Sequence, residues 1–165
     1  LALACAVAAA LKLLAIFLQQ EGIGRWLGKS VHVRAWCSVN SNFMRAAKCV
    51  LAERAPLTWG KVAILCGGPD WPTSVATGIM GLNVWMMLLG SLPIIVLIVP
   101  SALLGAFQLM LNRPGWDVAA ELATMFALGS QTLAMLGFAA VIESASKNYA
   151  GALAAMPYDE EVRRL

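Results

Sequence analysis

The stretch WPTSVATGIMGLNVWMMLLGSLPIIVLIVPSALLGAFQLMLN, residues 71–112, contains no charged side chain. One crossing of a bilayer needs about 20 apolar residues in a helix, so this run of 42 is too long for a single span. Helices are expected because polar backbone groups in lipid must be satisfied within the chain. The sequence GSLP at residues 90–93 divides the run. We therefore expect either a hairpin that turns at GSLP or a re-entrant helix followed by a span, within residues 62–112.

The flanking sequence has the same character. The chain is 60% hydrophobic and 13% charged, whereas a soluble domain is about 25% charged. Residues 1–18 and 116–142 each predict a further span, and residues 143–165 predict a polar tail. The predicted fold is all-α: a polytopic membrane protein forming one membrane domain over residues 1–165, with three to four spanning or re-entrant helices plus interfacial amphipathic helices.

Positive charge is concentrated in residues 19–61, which carry a net charge of +5. By the positive-inside rule this stretch predicts the cytoplasmic side of a membrane or its stromal equivalent. Its apolar spacing predicts amphipathic surface helices, one over residues 22–34 and one with Arg45 and Lys48 on its polar face. A nucleic-acid partner is not expected, because the stretch adjoins membrane segments and matches no binding fold. Lys12, the one charge in the first span, is expected to extend towards the membrane surface.

The sequence GGPDWPTS at residues 67–74 interrupts the apolar segments with two glycines, two prolines and several polar residues. Such a break at membrane depth is tolerated only where protein or a water-filled cavity surrounds it. One hypothesis is therefore a site for an ion or a lipid headgroup formed by Asp70, Trp71, Pro72 and Thr73, with Asp70 as its charge. The alternative is structural: Asp70 caps a helix and Trp71 anchors it at the interface.

The motifs GPDWPTS (68–74), GIMGL (78–82) and LGSLP (89–93) together resemble the VTT/DedA superfamily over residues 60–112. The resemblance implies a re-entrant loop with Asp70 as the matching charged residue, and an activity as a lipid scramblase or a proton-coupled transporter. The same motifs are similar to multi-span proteins of algal protists. That similarity implies a photosynthetic membrane, such as the plastid thylakoid.

Small and polar residues within the spans predict helix packing. Ser101 with Gly105, and Ser130 with Ala134, have the four-residue spacing that lets helices approach closely. Thr124 and Gln131 share one helix face, which is typical of hydrogen bonding between helices in lipid.

His32 is the only histidine, so neither a metal cluster nor a Ser-His-Asp arrangement is expected. It is interpreted as a surface residue, with ligation of a chlorophyll magnesium as the alternative. Nothing in the sequence matches an enzyme motif.

Two functions remain open. The first is a non-catalytic accessory subunit of a larger membrane assembly such as a photosystem or antenna complex, contacting membrane lipids, other subunits, and chlorophyll, carotenoid or bound lipid as cofactors. The second is a VTT/DedA-like transporter or scramblase. They differ in whether Asp70 lies in a cavity or is an exposed helix cap.

Overall fold

A computed structural model describes residues 1–110 and 115–165, and every regular element in those ranges is a helix. The helices are α1 (Ala2–Leu27), α2 (Val31–Trp36), α3 (Asn42–Leu51), α4 (Trp59–Gly67), α5 (Asp70–Ile79), α6 (Val84–Gln108), α7 (Asp117–Asn148), α8 (Ala150–Ala155) and α9 (Glu160–Arg163). The expectation of an all-α chain is confirmed over these residues. Residues 111–112, the predicted end of the second membrane region, lie outside the described residues.

Within the described ranges, three helices are long and apolar enough to cross a membrane: α1, α6 and α7. This agrees with the lower of the predicted numbers of spans and is compatible with an integral membrane protein. The other helices are short. With 9 and 10 residues, α4 and α5 are each about 15 Å long, about half the thickness of the hydrocarbon core.

The first helix does not end at residue 18, where the first span was predicted to end, because α1 continues to Leu27 through a π-helical segment at Leu18–Gly24. The polar residues after position 18 indicated a helix end, yet Gln20 is fully buried and its Nε2 donates a hydrogen bond of 2.8 Å to the Leu82 carbonyl. Gly24 lies against α5, where an added Cβ would be 2.5 Å from the Val75 carbonyl oxygen. Packing against α5 thus extends α1, and the predicted helix over residues 22–34 is divided between α1 and α2.

The predicted hairpin turn at residues 90–93 is also wrong. Helix α6 is continuous there, with one 3-10 turn at Leu92–Ile94 in which Pro93 occupies an early position. An early position in a helical turn tolerates the missing N–H of proline. The break between helices lies instead at residues 80–83, where Gly81 has a φ of +70° and Asn83 Oδ1 accepts a 2.9 Å hydrogen bond from Trp85 N. The order of elements is therefore two short helices followed by one long helix.

The apolar core joins α3, α4 and α7, with Val50, Leu51, Ile64 and Ile142 buried together. Helix α3 confirms the second predicted amphipathic helix, but Arg45, expected on its polar face, is 4% exposed. The C-terminal segment covers Arg45, as described below.

Candidate functional site

A groove of about 900 Å³ lies between α1, the α4–α5 junction, α6 and α7. Most of its wall is apolar, and the apolar lining includes Ile94, Leu97, Ile98, Ala102, Met135 and Phe138. Its polar lining includes Lys12, Asp70, Ser101 and Gln131. A large apolar cavity with a few converging polar groups is typical of a small-molecule or lipid site.

Lys12 and Asp70 form an ion pair at this groove, between Lys12 Nζ and Asp70 Oδ2. The Lys12 side chain is 19% exposed and the Asp70 side chain is 62% exposed. Lys12 therefore interacts with a carboxylate of the same chain. Its extension towards the membrane surface stays a prediction. The pair places a positive and a negative charge side by side on an otherwise apolar wall.

Asp70 does not cap α5. The N-cap residue is Pro69, and Asp70 is the first helical residue, with its carboxylate in the first turn. A carboxylate there is favoured by the helix dipole. The expected cap role is wrong. Asp70 lines the groove although its side chain is exposed, and its role in a site at membrane depth stays a prediction. Its neighbours Trp71 and Pro72 are exposed and Thr73 is half-buried.

Two glycines position the α4–α5 junction against α7. A Cβ added at Gly67 would lie 2.1 Å from the Ala134 carbonyl oxygen, and one at Gly68 would lie 2.5 Å from the Ile64 carbonyl oxygen. Both neighbours are backbone atoms, so a larger residue requires α4 and α7 to move apart or the junction to unwind. This close contact holds Asp70 at the edge of the groove, opposite Lys12.

Cys66 lines the same groove. Burial raises the pKa of its thiol to about 11; the Lys12 ammonium opposes this shift and the Asp70 carboxylate adds to it. Because the thiolate is the reactive form, this cysteine is a slow nucleophile at neutral pH.

Of the predicted helix-packing residues, some contact a neighbouring helix and others face open space. Ala134 contacts α4 through Gly67, whereas a Cβ at Gly105 would meet no atom within 4 Å. The hydroxyls of Ser101, Thr124 and Ser130 donate to carbonyls of their own helices, at 3.0, 2.7 and 2.9 Å. Packing of Gly105 against a helix of another chain stays a prediction.

His32 lies exposed on α2, and its role as a pigment ligand stays a prediction. No group of three or more His, Cys, Asp or Glu side chains suited to a metal ion occurs in the residues that the structure describes. The Lys12–Asp70 pair was missed at the level of sequence. Its signal was the isolated position of Lys12 as the one charge in an apolar segment.

Comparison with protein families, with characterised proteins and with solved structures gives no match. The resemblance to the VTT/DedA superfamily therefore stays a prediction, and the function is argued from the groove.

Proposed function

We propose that this chain is a membrane protein that moves zwitterionic phospholipids across the bilayer, with the groove as the path of the headgroup. The observation that carries the proposal is the Lys12–Asp70 pair on the wall of an apolar groove. This is the transporter or scramblase function that the resemblance to the VTT/DedA superfamily implies.

The charges of the pair complement those of a zwitterionic headgroup. The Lys12 ammonium attracts a phosphate, and the Asp70 carboxylate attracts a choline or ethanolamine cation. Ser101 and Gln131, further along the groove, offer hydrogen bonds that replace those lost to water. The apolar wall accommodates the upper part of the acyl chains.

The position of Lys12 along α1 supports the same function. Lys12 is the eleventh of the 26 residues of α1, about 16 Å from its start in a helix about 39 Å long. If α1 spans the bilayer, Lys12 lies near the middle of a hydrocarbon core about 30 Å thick. A single charge there costs about 2.5–3.5 kcal/mol or more, so a compensating partner at that depth lowers the barrier to headgroup passage.

The test is lipid flux in reconstituted vesicles. The purified full chain is placed in phosphatidylcholine vesicles with a fluorescent phosphatidylcholine, and membrane-impermeant dithionite bleaches the probe that reaches the outer leaflet. The native chain should expose the inner-leaflet probe, whereas Asp70→Asn and Lys12→Met should slow that exposure to the rate of empty vesicles.

Asp117→Asn is the matched control. Asp117 is the first residue of α7 as Asp70 is the first residue of α5, but it does not line the groove. Its flux should equal that of the native chain. Flux that is absent from the native chain, or unchanged in both Asp70→Asn and Lys12→Met, contradicts the proposal.

An accessory subunit of a membrane assembly is the second candidate. It is favoured by the large apolar side chains that α7 leaves exposed, including Leu122, Met125, Phe126, Leu133 and Leu136. The open space around Gly105 also leaves room for a partner helix. On this function, Gly105→Leu should release the chain from a native complex purified in mild detergent. A photosynthetic assembly would add visible absorbance from chlorophyll or carotenoid to that complex.

A further inference from the structure

A second cavity, of about 250 Å³, lies between α2, the loop that joins it to α3, α3 itself, the end of α5 and residues 156–159 of the C-terminal segment. We call it the basic cleft. Its charged lining consists of three cations and one carboxylate: Arg34, Arg45, Lys48 and Asp159. The basic cleft shares no lining residue with the groove around Lys12.

Arg45 is the buried centre of the basic cleft. Its Nη2 donates to the carbonyls of Leu153 and Met156, the latter at 2.6 Å. Its guanidinium carbon lies 4.1 Å from the centre of the Tyr158 ring. All of these partners are neutral. In addition, Arg45 Nε is buried and has no hydrogen-bond partner among the residues that the structure describes.

The carboxylates at the cleft pair with Arg34, and neither pairs with Arg45 or Lys48. Arg34 pairs with Asp159, at 3.2 Å from Nε to Oδ2, and with Glu161. Asp159 also accepts a hydrogen bond from Val162 N at the start of α9. No ion pair of Lys48 or Arg45 occurs over residues 1–110 and 115–165. Two positive charges of the cleft therefore remain without an anionic partner.

We infer that the basic cleft binds a phosphate group, held between Arg45 and Lys48. Arg45 Nη1 donates no hydrogen bond within the described residues. This guanidinium nitrogen and the Lys48 ammonium together match a phosphate oxyanion in charge and in hydrogen-bonding capacity. The cleft volume is below the range of about 300–1,000 Å³ that accommodates whole drug-sized ligands, so the phosphate is the part that enters. The phosphate has two sources, an anionic lipid headgroup or free phosphate. The inference does not depend on transport through the groove.

Binding to the full chain in detergent micelles tests the inference. Short-chain phosphatidic acid and inorganic phosphate are titrated separately by isothermal calorimetry, against the native chain, Lys48→Gln and Lys29→Gln. Lys48 is half-buried at the cleft, whereas Lys29 is an exposed cation of the same basic stretch outside it. The Lys48→Gln substitution should weaken binding about tenfold, the effect of losing one charge-assisted hydrogen bond, and Lys29→Gln should leave it unchanged.

The two titrations distinguish the sources. Binding of phosphatidic acid without binding of inorganic phosphate supports a lipid headgroup, and binding of both supports a general phosphate site. Binding of neither overturns the inference, and so does an equal effect of Lys48→Gln and Lys29→Gln. The Lys48 ammonium forms no ion pair within the residues that the structure describes, so its replacement tests binding without breaking a salt bridge of the fold.

Discussion

The groove and the basic cleft hold their central cations, half-buried Lys12 and buried Arg45, in opposite ways. Lys12 in the groove has a carboxylate partner, Asp70, so the pair carries no net charge. Arg45 in the cleft has the carbonyls of Leu153 and Met156 and an aromatic ring, so its positive charge remains. A neutral pair favours a zwitterionic ligand, whereas an uncompensated cation favours an anion. The difference between the two regions is thus one of net charge, and it is open to direct test.

Lys61 is a second buried cation that is held by backbone carbonyls, as Arg45 is, but it lies outside both cavities. It is fully buried, and its Nζ donates to the carbonyls of Glu53 and Ala55 at 2.7 and 2.9 Å. Burial lowers the pKa of Lys61, and the Glu53 carboxylate opposes that shift. Lys61 does not line the basic cleft, so a buried cation indicates a ligand site only where a cavity adjoins it.

The largest expected effect is on folding, from Arg45→Met. The substitution removes two charge-assisted hydrogen bonds to the C-terminal segment and the stacking on Tyr158. A loss of about 3 kcal/mol in the free energy of unfolding is expected. Limited proteolysis should then cleave residues 153–165 faster than in the native chain, and Arg54→Met, an exposed cation, is the control. Unchanged proteolysis would mean that Arg45 does not hold this segment.

A smaller effect is expected from breaking the Lys12–Asp70 pair. The Asp70 side chain is 62% exposed towards the groove, where water that accompanies a headgroup screens the pair, so the coupling energy in a cycle of Lys12→Met, Asp70→Asn and the double variant should be about 1 kcal/mol. The free energies come from denaturant unfolding in one detergent. Additive effects of the two substitutions would show that the side chains do not interact.

The smallest expected effect is kinetic and concerns Cys66. Because the pKa of its thiol is raised to about 11, the thiolate fraction rises about tenfold for each pH unit below that value. In a chain with the other three cysteines replaced by alanine, modification by a methanethiosulfonate reagent should still accelerate about tenfold between pH 9 and pH 10. A rate that levels off above pH 9, as for an ordinary thiol, would contradict the burial of this thiol in the groove.

The sequence predicted the helices whose apolar pattern lies within the helix itself. The uncharged run predicted a helix in the region of α6, and the apolar segment after residue 116 predicted α7. The apolar spacing around Val50 and Leu51 predicted α3. The turn at residues 90–93 was misplaced because glycine and proline also occur inside helices, as the 3-10 turn at Leu92–Ile94 shows. The observed break between helices lies at Gly81 and at the cap Asn83, and the uncharged character of the run around them concealed it.

The groove and the basic cleft depend on contacts between residues far apart in the sequence, which the spacing of apolar residues does not predict. Asp70 was identified from the break around it, but its partner Lys12 lies 58 positions away. Arg45 was assigned to a water-facing surface because its own helix is amphipathic, and the carbonyl that covers it belongs to Leu153, 108 positions away. In both cases the charge was visible in the sequence, and the partner that determines its role was not.

The most direct test of the account is the headgroup selectivity of flux. Fluorescent phosphatidylcholine and phosphatidylglycerol with identical acyl chains are compared in vesicles containing the native chain or the Lys12→Met/Asp70→Asn variant. If the charge pair receives a zwitterionic headgroup, the native chain should move phosphatidylcholine about tenfold faster, a difference of about 1.4 kcal/mol in the barrier, and the double variant should lose both flux and selectivity. Equal rates for the two lipids in the native chain, with the same rates in the double variant, would contradict the assignment of the groove as the headgroup path.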